Sequence, residues 1–114
     1  MNDKGKAAED FAADYLSDNG YKIICRNYFC RFGEIDIVCS DGTFLVFCEV
    51  KSRSLNSIST GRESVDRSKI SRIRKTALWY LTEHKTNLQP RFDVLELTGT
   101  AGNYTVTAHI TNAF

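Results

Sequence analysis

The sequence predicts an α/β sandwich, a mixed central sheet of about five strands flanked by helices. Three observations carry that expectation. Residues 33–51 hold two runs rich in Ile, Val and Phe joined by Ser40-Asp41-Gly42-Thr43, and an Asp-Gly pair between apolar runs is a strong hairpin signal. Residues 4–19 and 66–84 repeat apolar side chains at helical spacing. Residues 91–97 and 104–110 alternate like strands, joined by a turn containing Gly99 and Gly102.

In the first helix Ala7, Ala8, Phe11, Ala12, Tyr15 and Leu16 form the apolar stripe, and Asn19-Gly20 is a C-terminal stop. Glu9 lies on the flank of the stripe, a position that can point along the sheet surface; a partner for Lys6 is the plainer role. Asp10, Asp14 and Asp18 read as solvated. Tyr21 to Arg26 follows as a strand, then an aromatic and basic stretch, Arg26-Asn27-Tyr28-Phe29-Cys30-Arg31-Phe32-Gly33. Interleaved Arg and aromatics can stack bases, but Phe29 and Phe32 are expected in the core.

A turn centred on Asp41-Gly42 sets Cys39 opposite Phe44, Ile37 opposite Val46, Asp36 opposite Phe47 and Glu34 opposite Glu49. Alternation puts Glu34, Asp36, Phe47, Glu49 and Lys51 on one face, and Ile35, Ile37, Val46, Cys48 and Val50 on a core face. Asp36 and Glu49 become diagonal neighbours within joint reach of one small cation. Two carboxylates close together on a half-buried sheet repel and lose solvation, so they need a cation, a shared proton or a lysine. Oxygen ligands suit a hard ion, Mg²⁺ or Mn²⁺, with the Val50 carbonyl as a third protein ligand. Lys51, two residues beyond Glu49 on the same face, is placed to orient a metal-bound water. The plainer reading is a solvated face with a Glu49–Lys51 salt bridge.

The chain has 114 residues, 42% hydrophobic and 11% aromatic, enough for one core, so residues 1–114 are expected to form a single domain. No apolar run approaches a membrane span and the first residues are polar, which points to the cytoplasm. Cys25, Cys30, Cys39 and Cys48 contain no CxxC and read as reduced thiols. In the register above, Cys39 and Cys48 share the core face roughly 13 Å apart, too far for a disulfide. His84 and His109 are isolated and read as structural. Arg91 and Asp93 belong to one polar end of the sheet, and Pro90 marks the entry to the fourth strand.

Net charge is only +1, yet its distribution is uneven. Residues 1–50 hold five Lys/Arg against nine Asp/Glu, and residues 51–85 hold nine against three. An acidic sheet beside a basic segment suits a metal site that must also attract phosphates. Ser52 to Ser64 reads as a loop leaving the Lys51 end of the strand, long enough to close over a bound strand of DNA. Asp66 caps the second helix, where Ile70, Ile73, Ala77 and Leu81 form the buried stripe beside Trp79 and Tyr80. Arg67, Lys69, Arg72, Arg74 and Lys75 crowd its first half, against the helix dipole, as a phosphate-facing surface would. Arg53, Arg67, Lys69 and Arg72 are the candidate nucleic-acid contacts.

An Asp on one strand followed by Glu-x-Lys on the next resembles the PD-(D/E)xK motif of restriction-endonuclease-like nucleases. Longer strings are more specific: Lys4-Gly5-Lys6-Ala7-Ala8-Glu9, Asn19-Gly20-Tyr21, Arg26-Asn27-Tyr28, Gly33-Glu34-Ile35-Asp36, Phe47-Cys48-Glu49-Val50-Lys51-Ser52-Arg53, Val65-Asp66-Arg67-Ser68-Lys69, Arg91-Phe92-Asp93-Val94 and Ile110-Thr111-Asn112-Ala113-Phe114. Together they resemble the YraN-like family of small bacterial proteins over nearly the whole chain, and the first segment with the Glu-Val-Lys strand is also similar to archaeal Holliday-junction resolvases. The resemblance implies a restriction-endonuclease-like sandwich with Asp36, Glu49 and Lys51 as motif residues and Glu9 as a helix-borne helper. Ala8, where the family commonly has Gly, and Cys48, where Val is usual, depart from the pattern without removing a candidate ligand.

The function expected on these grounds is metal-dependent hydrolysis of phosphodiester bonds in DNA, duplex or branched, with a homodimer where both strands are cut. The rival readings are a nucleic-acid-binding module without turnover and a protein-interaction module on the same fold.

Overall fold

The computed structural model of the chain describes residues 3–54 and 66–114. The expected loop over 52–64 lies largely outside them. Elements run α1 (Asp3–Asp18), β1 (Lys22–Cys30), β2 (Gly33–Ser40), β3 (Phe44–Arg53), α2 (Arg67–Glu83), β4 (Gln89–Thr100) and β5 (Asn103–Ile110). The strands form one five-stranded sheet in the order β1-β2-β3-β4-β5. Neighbours are antiparallel except β3 and β4, which run parallel because α2 carries the chain back between them. This is an α/β sandwich with a mixed sheet, compatible with a restriction-endonuclease-like fold.

Each helix covers one face of the sheet. Ala8, Ala12, Ala13 and Leu16 of α1 pack on Ile37, Cys39, Val46, Cys48, Leu95 and Leu97. On the other face Ile73, Ala77 and Tyr80 of α2 pack on Ile35, Val38, Leu45, Phe47 and Val94. Both faces are therefore core, where the hairpin pattern alone suggested one. Helix ends follow local chemistry. The Asp66 side chain accepts from the Lys69 N–H at 2.8 Å and caps α2, while Gly20, at φ 90°, lets Tyr21 N–H return to Leu16 O and close α1.

The β2–β3 hairpin departs from the expected register by two residues: Ile37 faces Cys48, Cys39 faces Val46 and Ser40 faces Leu45. The cause is the turn. Asp41 Oδ1 accepts from both Thr43 N–H (2.9 Å) and Phe44 N–H (2.8 Å), which folds residues 41–44 into a longer loop than a two-residue turn. A shift of two keeps every residue of β3 on its face. It also moves Cys48 to within one diagonal step of Cys39, closer than expected, and both remain free thiols.

A second departure sits one strand away. Asn27 adopts φ 54°, a left-handed conformation, in the middle of β1. Around it Arg26 faces Ile37 and Tyr28 faces Ile35, so Asn27 lies against Asp36. Strand alternation breaks there. Ile35 packs under α2 while Ile37 packs under α1, although the sequence pattern put both on one face. The prediction for Phe29 also fails: it is 74% exposed at the end of the edge strand β1. Phe32 is half-buried, edge-on to Trp79 at 6.2 Å.

Candidate metal and phosphate site

Where the strand alternation breaks, β2 and β3 part. Their pairing runs as far as Ile37 and Cys48; continued by one residue, it would set Asp36 across from Glu49. Instead the Asp36 side chain reaches over, and its Oδ2 accepts from the Val50 N–H at 2.8 Å. A carboxylate thus takes the place of a ladder carbonyl. The opening is a cavity of about 210 Å³ walled by Asp36, Val50, Ser52, Glu34, Asn27 and, from the first turns of α1, Gly5, Ala8 and Glu9. Ala8, one of the two departures from the family pattern, is therefore a wall of the cavity.

Glu9 is buried at this wall and held from the side by β1. Its Oε1 accepts from Arg26 Nε at 3.2 Å and Asn27 Nδ2 at 2.8 Å. The Lys6 partner considered from sequence goes to Asp10 instead, which also takes Arg26 Nη2 at 2.6 Å, so Asp10 is not simply solvated. The left-handed turn at Asn27 has a visible purpose. It places Arg26 and Asn27 on the same side of the strand, both donating to Glu9.

Glu49 approaches Asp36 from the α2 side. It is 7% exposed, and its Oε2 is ion-paired with Lys69 Nζ from the first turn of α2. Burial and the charge of Glu49 push the Asp36 carboxyl up to about 7, against the lowering effect of the Val50 N–H. Glu9 adds to the rise. Two acidic side chains set close together where solvent is scarce are the arrangement a divalent cation relieves. Among the described residues no group of three or more His, Cys, Asp or Glu converges to enclose a metal by itself. The donor set fits the looser habit of Mg²⁺, one or two carboxylates completed by waters and substrate oxygens.

The other candidates are distributed as follows. Val50 lines the cavity. Lys51 is half-buried on β3, beside Glu96 of β4, and alternation puts it on the Glu49 face rather than in the cavity wall. Arg53 is half-buried two residues further on. Arg67 and Arg72 are exposed on α2, and Lys69 bridges that surface to Glu49. The structure thus brings Asp36 beside Glu9 on the α1 side and beside the Glu49–Lys69 pair on the α2 side, and leaves Arg67 and Arg72 on the adjoining surface.

Sequence reasoning missed Asn27, Arg26 and the Lys69–Glu49 pair as parts of this site. Arg26-Asn27 stood in the family-like strings, and an Asn inside a strand-like run is the one local signal of a left-handed residue. Arg91 and Asp93, expected at one polar end of the sheet, do meet there, but the network they form with His109 was not anticipated. Asp93, fully buried, takes Arg91 at 2.9 and 2.8 Å, His109 Nε2 at 2.8 Å and Asn112 N–H at 3.1 Å. His109 is therefore partnered, not isolated. Arg91 continues to Tyr21 Oη at 2.8 Å and lies over the Phe44 ring.

The chain matches the model of Uncharacterised protein family UPF0102 over residues 8–97. It belongs to that family, the YraN family. Similar UPF0102 proteins include one from Sulfurihydrogenibium sp. (strain YO3AOP1), 42% identical over 97% of this chain and 93% of its own. One from Persephonella marina is 40% identical over 97% and 92%, and one from Syntrophus aciditrophicus 46% identical over 80% and 72%. The UPF0102 match spans Glu9, Asp36, Glu49 and Lys69 and every cavity-lining residue but Gly5. Among the described residues no helix of this UPF0102 protein is long and apolar enough to cross a membrane.

Proposed function

We propose that this protein is a metal-dependent nuclease that hydrolyses phosphodiester bonds in DNA, acting in the cytoplasm. The observation that carries the reading is the Asp36–Glu49 pair. Two acidic side chains from adjacent strands meet beside a polar cavity, and burial and the charge of Glu49 raise the Asp36 carboxyl to about 7. A structural ion pair would not need that arrangement, since it concentrates like charge where solvent is scarce.

Asp36 and Glu49 would hold Mg²⁺ or Mn²⁺, with the Val50 carbonyl beside them. Such an ion supplies an activated water and charge stabilisation at the phosphate. Lys51, on the strand that bears Glu49, positions the water. Glu9, fixed by Arg26 and Asn27, presents its remaining oxygen to the cavity. Arg53, Arg67 and Arg72 would contact backbone phosphates of a duplex or branched substrate. One site cuts one strand, so cutting both strands of a duplex or junction calls for a homodimer.

The test is cleavage of labelled single strand, duplex, flap and four-way junction with Mg²⁺ or Mn²⁺ by wild type, Asp36→Ala and Lys51→Ala. Metal-dependent product abolished by both substitutions supports the reading and names the substrate. Salt-sensitive binding that never yields product would transfer the assignment to a non-catalytic nucleic-acid-binding module.

A further inference from the structure

Lys69 occupies an unusual place for a phosphate-facing lysine. Its ammonium is ion-paired with Glu49 Oε2, and the two partners differ sharply in exposure, 42% for the lysine side chain and 8% for the glutamate. Glu49 is fixed in the sheet, and Lys69 reaches it from the rim. A half-exposed lysine can swing out to water on its flexible stem, whereas Glu49 stays buried on its strand.

The lysine is also poorly placed by its own helix. It stands in the first turn of α2, which holds no acidic residue, and the helix dipole there disfavours a cation. The Asp66 carboxylate accepts from the Lys69 backbone N–H, and the ammonium's ion pair among the described residues is with Glu49. Next to it stand the exposed cations Arg67 and Arg72. What holds the ammonium inward is Glu49, and Glu49 is one of the two carboxyls that a divalent ion would use.

We propose that Lys69 and a divalent cation are alternative partners of Glu49, so that cation binding releases Lys69 to an anionic phosphate on the α2 surface. This rests on the metal-site reading above and adds a coupling to it. The cation and a phosphate-bearing strand then bind with positive cooperativity, because each removes the other's competitor for the lysine–glutamate pair. The same exchange keeps Glu49 neutralised when no substrate is bound. Lys69 is in this scheme a positioning residue, acting through Glu49.

The direction of one measurement separates this from a fixed structural role. Mn²⁺ affinity is measured by calorimetry and by electron paramagnetic resonance for wild type, Lys69→Met, Lys69→Gln, Lys69→Arg and Asp36→Ala, with thermal melts confirming that each is folded. Removing a competing, half-exposed ion pair should tighten Mn²⁺ binding by about fivefold in both Lys69→Met and Lys69→Gln. Lys69→Arg keeps the competitor and should stay near wild type. Adding a short phosphorothioate oligonucleotide should tighten Mn²⁺ binding in wild type and leave Lys69→Met unchanged. Equal or weaker Mn²⁺ binding by Lys69→Met, with Asp36→Ala abolishing it, overturns the exchange and leaves the metal site standing. Absence of Mn²⁺ binding in every variant overturns both.

Discussion

Replacing Asp36 by Asn should stabilise the protein in the presence of a chelator, which is the reverse of what removing a buried hydrogen-bonded residue normally does. Asn keeps a carbonyl to accept from the Val50 N–H and gains an N–H₂ to donate to Glu49. It loses only the ability to ionise. The Asp36 carboxyl is raised from 3.8 to about 7, so the folded state binds a proton that the unfolded state has released across that interval. Stability that is fully present below the unfolded value is therefore lost as pH climbs through the folded one. A shift of that size corresponds to about 4 kcal/mol between the two protonation states.

About half of it should surface in the variant, because Asn leaves Glu49 buried and charged. The expected gain at pH 8 is then about 2 kcal/mol, or about 8 °C in Tm for a domain of this size. Near pH 4, close to the unfolded value of 3.8, about two-fifths of the unfolded carboxyls are themselves protonated and most of the gain should be gone. The assay is urea unfolding at pH 4, 6 and 8 with chelator present, followed by the same series in Mg²⁺. Wild type should gain about 1.4 kcal/mol when the ion stands at ten times its dissociation constant, and Asp36→Asn should gain nothing. A variant no more stable than wild type at pH 8 would refute the electrostatic argument. So would an equal gain at pH 4 and pH 8, since that would trace the effect to packing.

Other consequences concern the far end of the sheet and the α2 surface. Asp93→Ala leaves the mostly buried Arg91 guanidinium with only Tyr21 Oη and the Asp41 carboxylate at 3.7 Å among the described residues, and should cost about 3 kcal/mol in urea unfolding. Burial alone would raise the Asp93 carboxyl, but hydrogen bonds from Arg91, His109 and the Asn112 N–H more than reverse this and hold it below its ordinary value. Its contribution is present above the unfolded value and lost as pH falls through the folded one, so wild type should lose more stability on acidification than Asp93→Asn does. Gly99→Ala should cost about 1–3 kcal/mol, since Gly99 has φ +128° and an added Cβ would lie 2.1 Å from Asn103 O in the β4–β5 hairpin. Arg67→Ala and Arg72→Ala should each lower the salt slope of duplex binding by about 0.9, read by fluorescence anisotropy across a salt series. An unchanged slope in both would move the nucleic acid off this helix.

The parts of the fold that depend on neighbours in sequence were readable in advance. Asn19-Gly20 ends α1, Asp66 starts α2, and the alternation of β3 places Val46 and Cys48 opposite Phe47. The hairpin register was not readable from Asp41-Gly42, because the same Asp that favours a tight turn can instead fold a four-residue loop around its own carboxylate. The exposure of Phe29 depends on β1 being an edge, which is a property of the whole sheet. The Lys69–Glu49 contact links strand β3 to the first turn of α2 across the segment between them, and no local pattern encodes it. Arg91, Asp93 and His109 could be seen as polar residues in strands; only the sheet makes them one network.

The candidate carboxylates were legible for a different reason: each breaks a pattern. Glu9 interrupts the edge of an apolar stripe, and Asp36 and Glu49 interrupt strands of Ile, Val and Phe. What the structure adds is how each broken pattern is supported. Glu9 takes Arg26 and Asn27, Glu49 takes Lys69, and Asp93 takes Arg91 and His109. Asp36 is steadied by a backbone N–H against burial and two acids. The chain accepts a left-handed Asn27, a strained conformation costing about 1–3 kcal/mol, at the very residue that faces Asp36. A sheet built only for stability would continue its ladder there and carry an apolar residue in place of Asp36. Strain and like charge gathered at one break in an otherwise regular sheet point to a site maintained for what binds it, and Asp36→Asn is the substitution that removes the charge without closing the break.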